Sequence, residues 1–435
     1  MSSFHPTAYT SAADALAAAL RIRESGDWSA LERFCIDALQ HFPHDIELSW
    51  QLSHCHWLRY DGAASEAVMR ACLAHHPESA QVKHAIAFYL LEQARYNEAE
   101  AMYRESSALD PEQMGVALDL ADLELRRGAW RDGWTRFLRR LDRTRDTSSV
   151  VRVMEALAPR WRGEPLAGKR IVVYSELGLG DDLQFVRLYP RFAAAVKQLG
   201  AQPLLAVRAP LQPLIERFVP DCVTVETHDF DAIDFTIGMM SMPYWLGLSP
   251  AEIDGRPYLD AEPSLVQTWR DRLADDGRER LRVGIVWAGS PTHRRDSQRS
   301  IPVDALAPLW QLSGVTFYPV APGRDADIAR MRAAGADIVD VTQHYREHFH
   351  DSAALVTALD ALVTIDSSPL HLGGALGRPV LAMIDRASHW CWGTGETQPW
   401  YDSVRLVRQQ KAGDWTPVVA RVAADLAQRA AIKRR

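Results

Sequence analysis

The stretch Ala361 to Ile384, ALVTIDSSPLHLGGALGRPVLAMI, decides the fold. Its opening run ALVTI is continuously apolar, as in a parallel strand covered on both faces, and PVLAMI repeats that texture. Between them, Asp366 ends the first run and Ser367 and Ser368 precede Pro369, a residue favoured at the first helical position. His371 falls in the first turn of the helix that follows. Gly377 stops that helix and Pro379 admits the next strand.

The same alternation extends in both directions. LRVGIVWAG (281–289), VTFYPV and ADIVDV come before it, and an earlier series reads RIVVYS, QPLLAVR and FTIGMM. Two doubly wound α/β halves are therefore expected, over 169–262 and 280–412, joined through a polar stretch at 262–280. PRWRGEPLAGK (159–169), rich in proline and glycine, reads as a hinge within a linker at 149–168. The end of the chain, 413–435, reads as an amphipathic helix packing back across the halves before a basic terminus.

The front of the chain has a different period. Pro43, Pro77 and Pro111 each follow an apolar helical stretch and stand 34 residues apart, the tetratricopeptide length. Ala87, Leu90, Tyr96, Ala99 and Tyr103 occupy positions where small and aromatic residues let paired helices approach. Trp130 continues the series one period after Tyr96. Residues 11–148 thus resemble degenerate tetratricopeptide repeats, whose helix pairs stack because none buries its apolar face alone. Arg136, Arg139, Arg140 and Arg143 recur at helical spacing near the end of this region, and read either as a solvated helix face or as a site for an anionic acceptor or lipid.

Composition narrows the function. With 435 residues, 47% hydrophobic and 24% charged, the chain has the make-up of a globular protein of about three domains. A net charge of −7 argues against a nucleic-acid-binding surface. Cys35, Cys55, Cys72, Cys222 and Cys391 show no CxxC pairing and read as free thiols of a reducing compartment. No basic leader opens the chain and no apolar run approaches the roughly 20 residues of a membrane span. A cytoplasmic protein is expected, with contact at a membrane surface at most.

In open α/β sheets ligands gather at the carboxyl ends of strands, so three strand-to-helix turns carry the chemistry. The first is SELGLGDD after RIVVYS, where Gly178 and Gly180 permit a tight turn and Asp181 and Asp182 open the next helix. Leu183 stands where a dinucleotide fingerprint needs its third glycine, which argues against NAD. The carboxylates serve equally as helix caps or as a general base. The second, WAGSPTHRRDSQRSIP, brings His293, Arg294, Arg295 and Arg299, with Arg282 just before it. Guanidinium forks pair well with phosphate oxygens. The third is the opening stretch itself. A helix start with free N–H groups, the Ser367 and Ser368 hydroxyls and a neutral His371 suits an anion. Neither Asp229-Phe230-Asp231 nor Asp325-Ala326-Asp327 ends a clear strand, so a metal-bound diphosphate is not expected. Trp390, Trp392, Trp400, Tyr401 and Trp415 either wall a nucleotide pocket or seat the last helix.

These three turns, in this order, resemble glycosyltransferase family 9, the heptosyltransferase-like enzymes, over about residues 165–415. More closely, the chain resembles bacterial proteins that fuse tetratricopeptide repeats to such a domain. Gly180-Asp181 looks like the family's Gly-Asp, and Asp366-Ser367-Ser368-Pro369-Leu370-His371 looks like its donor-nucleotide motif, with Ser367 where threonine is usual. Arg299 falls near the family's basic phosphate-binding residue.

The resemblance implies the GT-B architecture, an acceptor side in the first half and a nucleotide-sugar site in the second, with no cofactor and no metal. It implies Asp181 as the general base. Asp182, at a position often held by Thr or Val, leaves that assignment open, and Glu176 is a third candidate. A protein acceptor presented by the repeats is expected, with lipopolysaccharide or another glycan as the alternative. A repeat adaptor without activity and a different GT-B enzyme, such as a nucleotide-sugar epimerase, are the other readings.

Overall fold

The computed structural model describes residues 9–142, 149–227, 229–274 and 280–434. Arg143 and part of the polar stretch at 262–280 lie outside the described residues. Contacts divide the chain into two compact units, one holding residues up to Glu124 with 385–387 and 410–413, the other holding the rest.

The first unit is built from α1 (Ala12–Glu24), α2 (Trp28–His41), α3 (Ile46–Leu58), α4 (Gly62–Leu73), α5 (Ala80–Glu92), α6 (Tyr96–Leu109) and most of α7 (Met114–Arg126). Helices α1, α3, α5 and α7 begin 34 residues apart, so the proline period marks the repeat of helix pairs. Each proline stands just beyond the end of α2, α4 or α6, where a missing N–H costs no ladder bond. A second signal repeats with it: Asp27, Asp45 and Asp61 cap α2, α3 and α4, accepting from Ala30, Leu48 and Ala64 N–H at 2.8, 2.9 and 2.9 Å. Ala18, Ala19, Ala87 and Ala99 are fully buried where the pairs meet.

The second unit opens with α8 (Trp130–Phe137), continued by a 3-10 turn at Leu138–Asp142. Arg140 is not on a solvated face as its helical spacing suggested: it is buried and paired with Glu176. The stretch expected as a linker is also structured. Helix α9 (Ser149–Leu157) packs Val151 and Met154 against the first sheet. Pro159 and Trp161 then hydrogen-bond to both sides of Thr236, laying the expected hinge along the sheet edge.

Two all-parallel sheets follow. The first takes β1 (Arg170–Tyr174), α10 (Leu179–Phe185), α11 (Tyr189–Gln198), β2 (Gln202–Val207), α12 (Gln212–Ile215), β3 (Val223–Thr224), β4 (Phe235–Gly238) and α13 (Met242–Trp245), in strand order β3-β2-β1-β4. Helix α14 (Pro263–Ala274) precedes the second. That sheet is made of β5 (Leu281–Val286), α15 (Asp296–Arg299), α16 (Ala307–Trp310), β6 (Val315–Pro319), α17 (Asp325–Ala333), α18 (His348–Ala358), β7 (Ala361–Ile365), α19 (Ser368–Ala375), β8 (Val380–Ile384) and β9 (Val404–Arg408), in order β6-β5-β7-β8-β9. Strands β7 and β8 are buried along their whole length, as their unbroken apolar runs require.

The terminal helix α20 (Thr416–Lys433) packs on α16, β5, β6, β8 and β9, all of the second sheet's half, rather than across both halves. Among the described residues, no helix is long and apolar enough to cross a membrane, and all five cysteines are buried and free.

Candidate active site

Because every strand in each sheet is parallel, the three turns read from sequence all leave carboxyl ends of strands. The structure brings the first and third together. A Cβ on Gly180 would stand 3.1 Å from His371 Cδ2 and 3.4 Å from Ser368 Cα, so α10 meets the start of α19 closely enough that a side chain there would displace a neighbour by a few tenths of an ångström.

Asp181 occupies the third position of α10 and its Oδ2 accepts the Gly178 N–H at 2.8 Å. Burial raises its pKa, a push opposed by His389, the Gly178 bond and Arg208 and reinforced by Asp366. A carboxylate so held keeps one oxygen for a second partner. Asp182 is differently committed: it is 2% exposed and takes Arg208 Nε and Nη2 at 3.2 and 2.9 Å. Burial pushes its carboxyl up while Arg208 opposes the shift. Glu176 accepts Arg140 Nη2 at 2.6 Å and Nε at 3.2 Å, and the Met240 N–H at 2.8 Å.

On the second sheet, Arg299 donates from Nη1 to the Asp366 carbonyl at 2.8 Å, joining the second turn to the third. Arg324 Nη2 donates to the Gly289 carbonyl at 2.5 Å and braces the same loop. His293, in that loop, is pushed down to about 4 by burial and then by Arg299. Arg282 does not join this group, since it lies near the start of β5, at the opposite end of the strand.

Ser367 is the N-cap of α19 without a side-chain capping bond, and Ser368 is its first residue, with Pro369 one place later than expected. The Ser367 hydroxyl makes only a long 3.4 Å bond to the Ile365 carbonyl. His371 is buried, with Nδ1 3.0 Å from the Tyr401 hydroxyl and its ring 5.0 Å from that of Trp392. The aromatic cluster therefore walls the site through Trp392 and Tyr401, while Trp400 and Trp390 pack on Trp130 and Trp134 of α8.

Burial lowers the His371 pKa from 6.5 to about 4, so the ring is neutral near pH 7. As pH falls from 6.5 towards 4, the unfolded chain takes up this proton and the folded chain does not. Stability is expected to fall by roughly 3 kcal/mol across that window on this account alone. Denaturant unfolding of His371→Asn between pH 4 and 7 should show a shallower slope; an unchanged slope would remove His371 as its source.

Several site residues were not legible in the sequence. Arg208 follows β2 and looks there like any loop arginine. Arg187, just after α10, donates to the Trp400 carbonyl at 2.6 Å and lies 4.5 Å above the Tyr258 ring, tying the first half to the second. His389 Nδ1 lies 3.1 Å from Cys391 Sγ beside the same pocket wall. Among the described residues, no group of three or more His, Cys, Asp or Glu is placed to hold a metal ion.

No family model matches the sequence. Protein FlbA of Caulobacter vibrioides is 28% identical over 291 residues, which are 61% of this chain and 48% of that protein, so the chain spans about half the length of this curated relative. The E. coli ADP-heptose lps heptosyltransferase II is similar in structure, with a TM-score of 0.40 and 16% identity, covering 60% of this chain and 99% of that one. The glycosyl transferase family 9 protein from Veillonella parvula gives 0.41 and 13%, covering 61% and 97%. At scores of this size the fold stands on the helix pairs and strand orders described above, a helical-repeat region followed by a parallel-sheet α/β domain.

Proposed function

We propose that this chain is an inverting glycosyltransferase that moves a sugar from a nucleotide-sugar to an acceptor hydroxyl. The observation that carries this reading is the meeting of the Asp181 turn with the start of α19, a carboxylate with raised basicity facing an anion-suited helix start. In the reaction, the acceptor oxygen bonds to the anomeric carbon as the bond to the diphosphate oxygen breaks, inverting that carbon. The acceptor proton goes to Asp181, and the bonding pair leaves with the diphosphate. Arg299, the Ser367 and Ser368 hydroxyls and N–H groups, and neutral His371 would stabilise the leaving charge without a metal ion. The Arg208 ion pair supports Asp182 as an organiser of the turn rather than its base.

Arg299→Ala is expected to weaken nucleoside diphosphate binding by roughly 1.5–3 kcal/mol, the loss of one charge-assisted hydrogen bond. Calorimetry giving the same affinity as the parent would take Arg299 out of the site.

For the acceptor, the repeats support a polypeptide. Helices α3 and α5 carry aromatic rings in series, with Trp50, His54 and Phe88 part-exposed around a buried Trp57: Trp50 stacks on His54 at 5.4 Å, His54 lies 5.1 Å from Trp57, and Trp57 5.6 Å from Phe88. Such a strip offers extended chain a low-entropy contact surface. Trp50→Ala with Phe88→Ala should retain slow donor hydrolysis and lose most transfer to protein in a lysate. Retained protein labelling, or label in the lipid fraction alone, contradicts this acceptor. The alternative of a glycan acceptor is supported by a cavity at the edge of the first α/β half, lined from 138–142, 160–162 and 237–245.

A further inference from the structure

The second unit holds a cavity of about 250 Å³ that none of the three turns contributes to. Its floor is apolar, with Leu141, Trp161 and Ile237 all buried. The Trp161 and Trp245 rings lie 4.1 Å apart at 30°, and Tyr244 meets Trp245 edge-on at 5.1 Å. Gly163 turns the chain beside Trp245 at φ +107°, a conformation that other residues rarely adopt, and a Cβ there would stand 3.6 Å from the Trp245 ring. The wall beside it is fixed by Arg160, whose guanidinium is held by Glu155 and the Leu141 carbonyl and lies 3.6 Å from the Asp142 carboxylate.

Polar groups lie towards the solvent side. Arg162 is exposed, and its guanidinium has no hydrogen-bond partner among the described residues. Arg139 and Asp142 also line the cavity. At this volume, slightly under the roughly 300 Å³ at which drug-sized pockets begin, the space suits a ligand of a single ring. An aromatic wall takes the apolar face of such a ring, Asp142 takes its hydroxyls, and a planar guanidinium fork takes a carboxylate.

The cavity also has a defined relation to the site. Ser241 lines it and accepts Arg140 Nη2 at 2.8 Å. Arg140 in turn pairs with Glu176, two residues before Gly178 in the Asp181 turn. It therefore shares lining residues with the half that carries the base.

We infer that this cavity binds a sugar ring bearing a carboxylate, as an acceptor-side subsite. The binding stands on the cavity alone, while the acceptor role rests on the transferase reading. The sugar acid is the ligand whether a polypeptide or another glycan carries it. Methyl β-D-glucuronide and methyl β-D-glucoside are the probes, titrated into the full chain by saturation-transfer NMR, with a nucleoside diphosphate titration alongside.

The glucuronide should bind at least ten-fold more tightly than the glucoside. Arg162→Gln should bring it down to the glucoside's level, and Trp245→Ala should abolish both signals. Nucleotide binding should persist in both variants, which shows that they fold. Absence of glucuronide binding to the parent, equal binding of the two sugars, or binding unchanged in both variants would overturn the assignment. Failure of the parent to bind nucleotide while the glucuronide still binds would count against the transferase reading and leave the cavity assignment standing.

Discussion

Asp181→Asn is expected to lower turnover by about 10² to 10⁴, the range for loss of a general base, with nucleotide affinity nearly intact. The asparagine keeps an oxygen for the Gly178 N–H at the position the carboxylate holds, so the turn should persist. What is lost is the capacity to take the acceptor proton. Asp182→Asn gives the contrast. It removes the charge opposite Arg208, and the expected result is lower stability with activity retained in proportion to the folded fraction. Abolished turnover in folded Asp182→Asn, with Asp181→Asn active, would move the base by one residue.

The second large effect is on stability. Arg140 and Glu176 are 7% and 2% exposed at the side chain and 2.6 Å apart, and Glu176 also accepts the Met240 N–H. Glu176→Ala leaves a buried guanidinium without its counter-charge, for which roughly 3–5 kcal/mol is expected. The double change Arg140→Leu with Glu176→Met removes both charges and should recover most of that loss. Urea unfolding of the two variants checks this. A single variant as stable as the parent would mean that solvent or another group replaces the pair. The spacing between Glu176 and Gly238 adds a steric reason for the site's order, because a Cβ on Gly238 would fall 2.4 Å from Glu176 Oε1.

Features set by local chemistry were readable in the sequence. The 34-residue proline period located the repeat because proline acts on its own helix end, and apolar runs such as ALVTI located buried parallel strands because each run is covered on both faces. The Ser367 to His371 turn was legible for the same reason.

Features set by distant partners were not. Arg140 has the spacing of a solvated helix face, and only the fold brings Glu176, 36 residues on, against it. Proline and glycine in PRWRGEPLAGK signal a break in helix, yet an extended segment satisfies them equally well, and Thr236 supplies the pairing. Arg208 and His389 sit in loops whose local sequence has no period at all, and Arg187 in a 3-10 turn of three residues, Val186–Leu188, too short to show one. The cavity beside Trp245 draws its lining from three separate stretches, 138–142, 160–162 and 237–245, so no single window of sequence contains it.

The central claim is that the two facing α/β halves transfer a sugar from a nucleotide donor with Asp181 as base. The most direct test incubates the full chain with a panel of nucleotide-sugars in the presence of a chelator and follows release of the nucleoside diphosphate. The expected result is release from one donor, continuing with the chelator present and falling by about 10² or more in Asp181→Asn. Release from none of the donors, together with no calorimetric binding of any nucleoside diphosphate, would contradict the account.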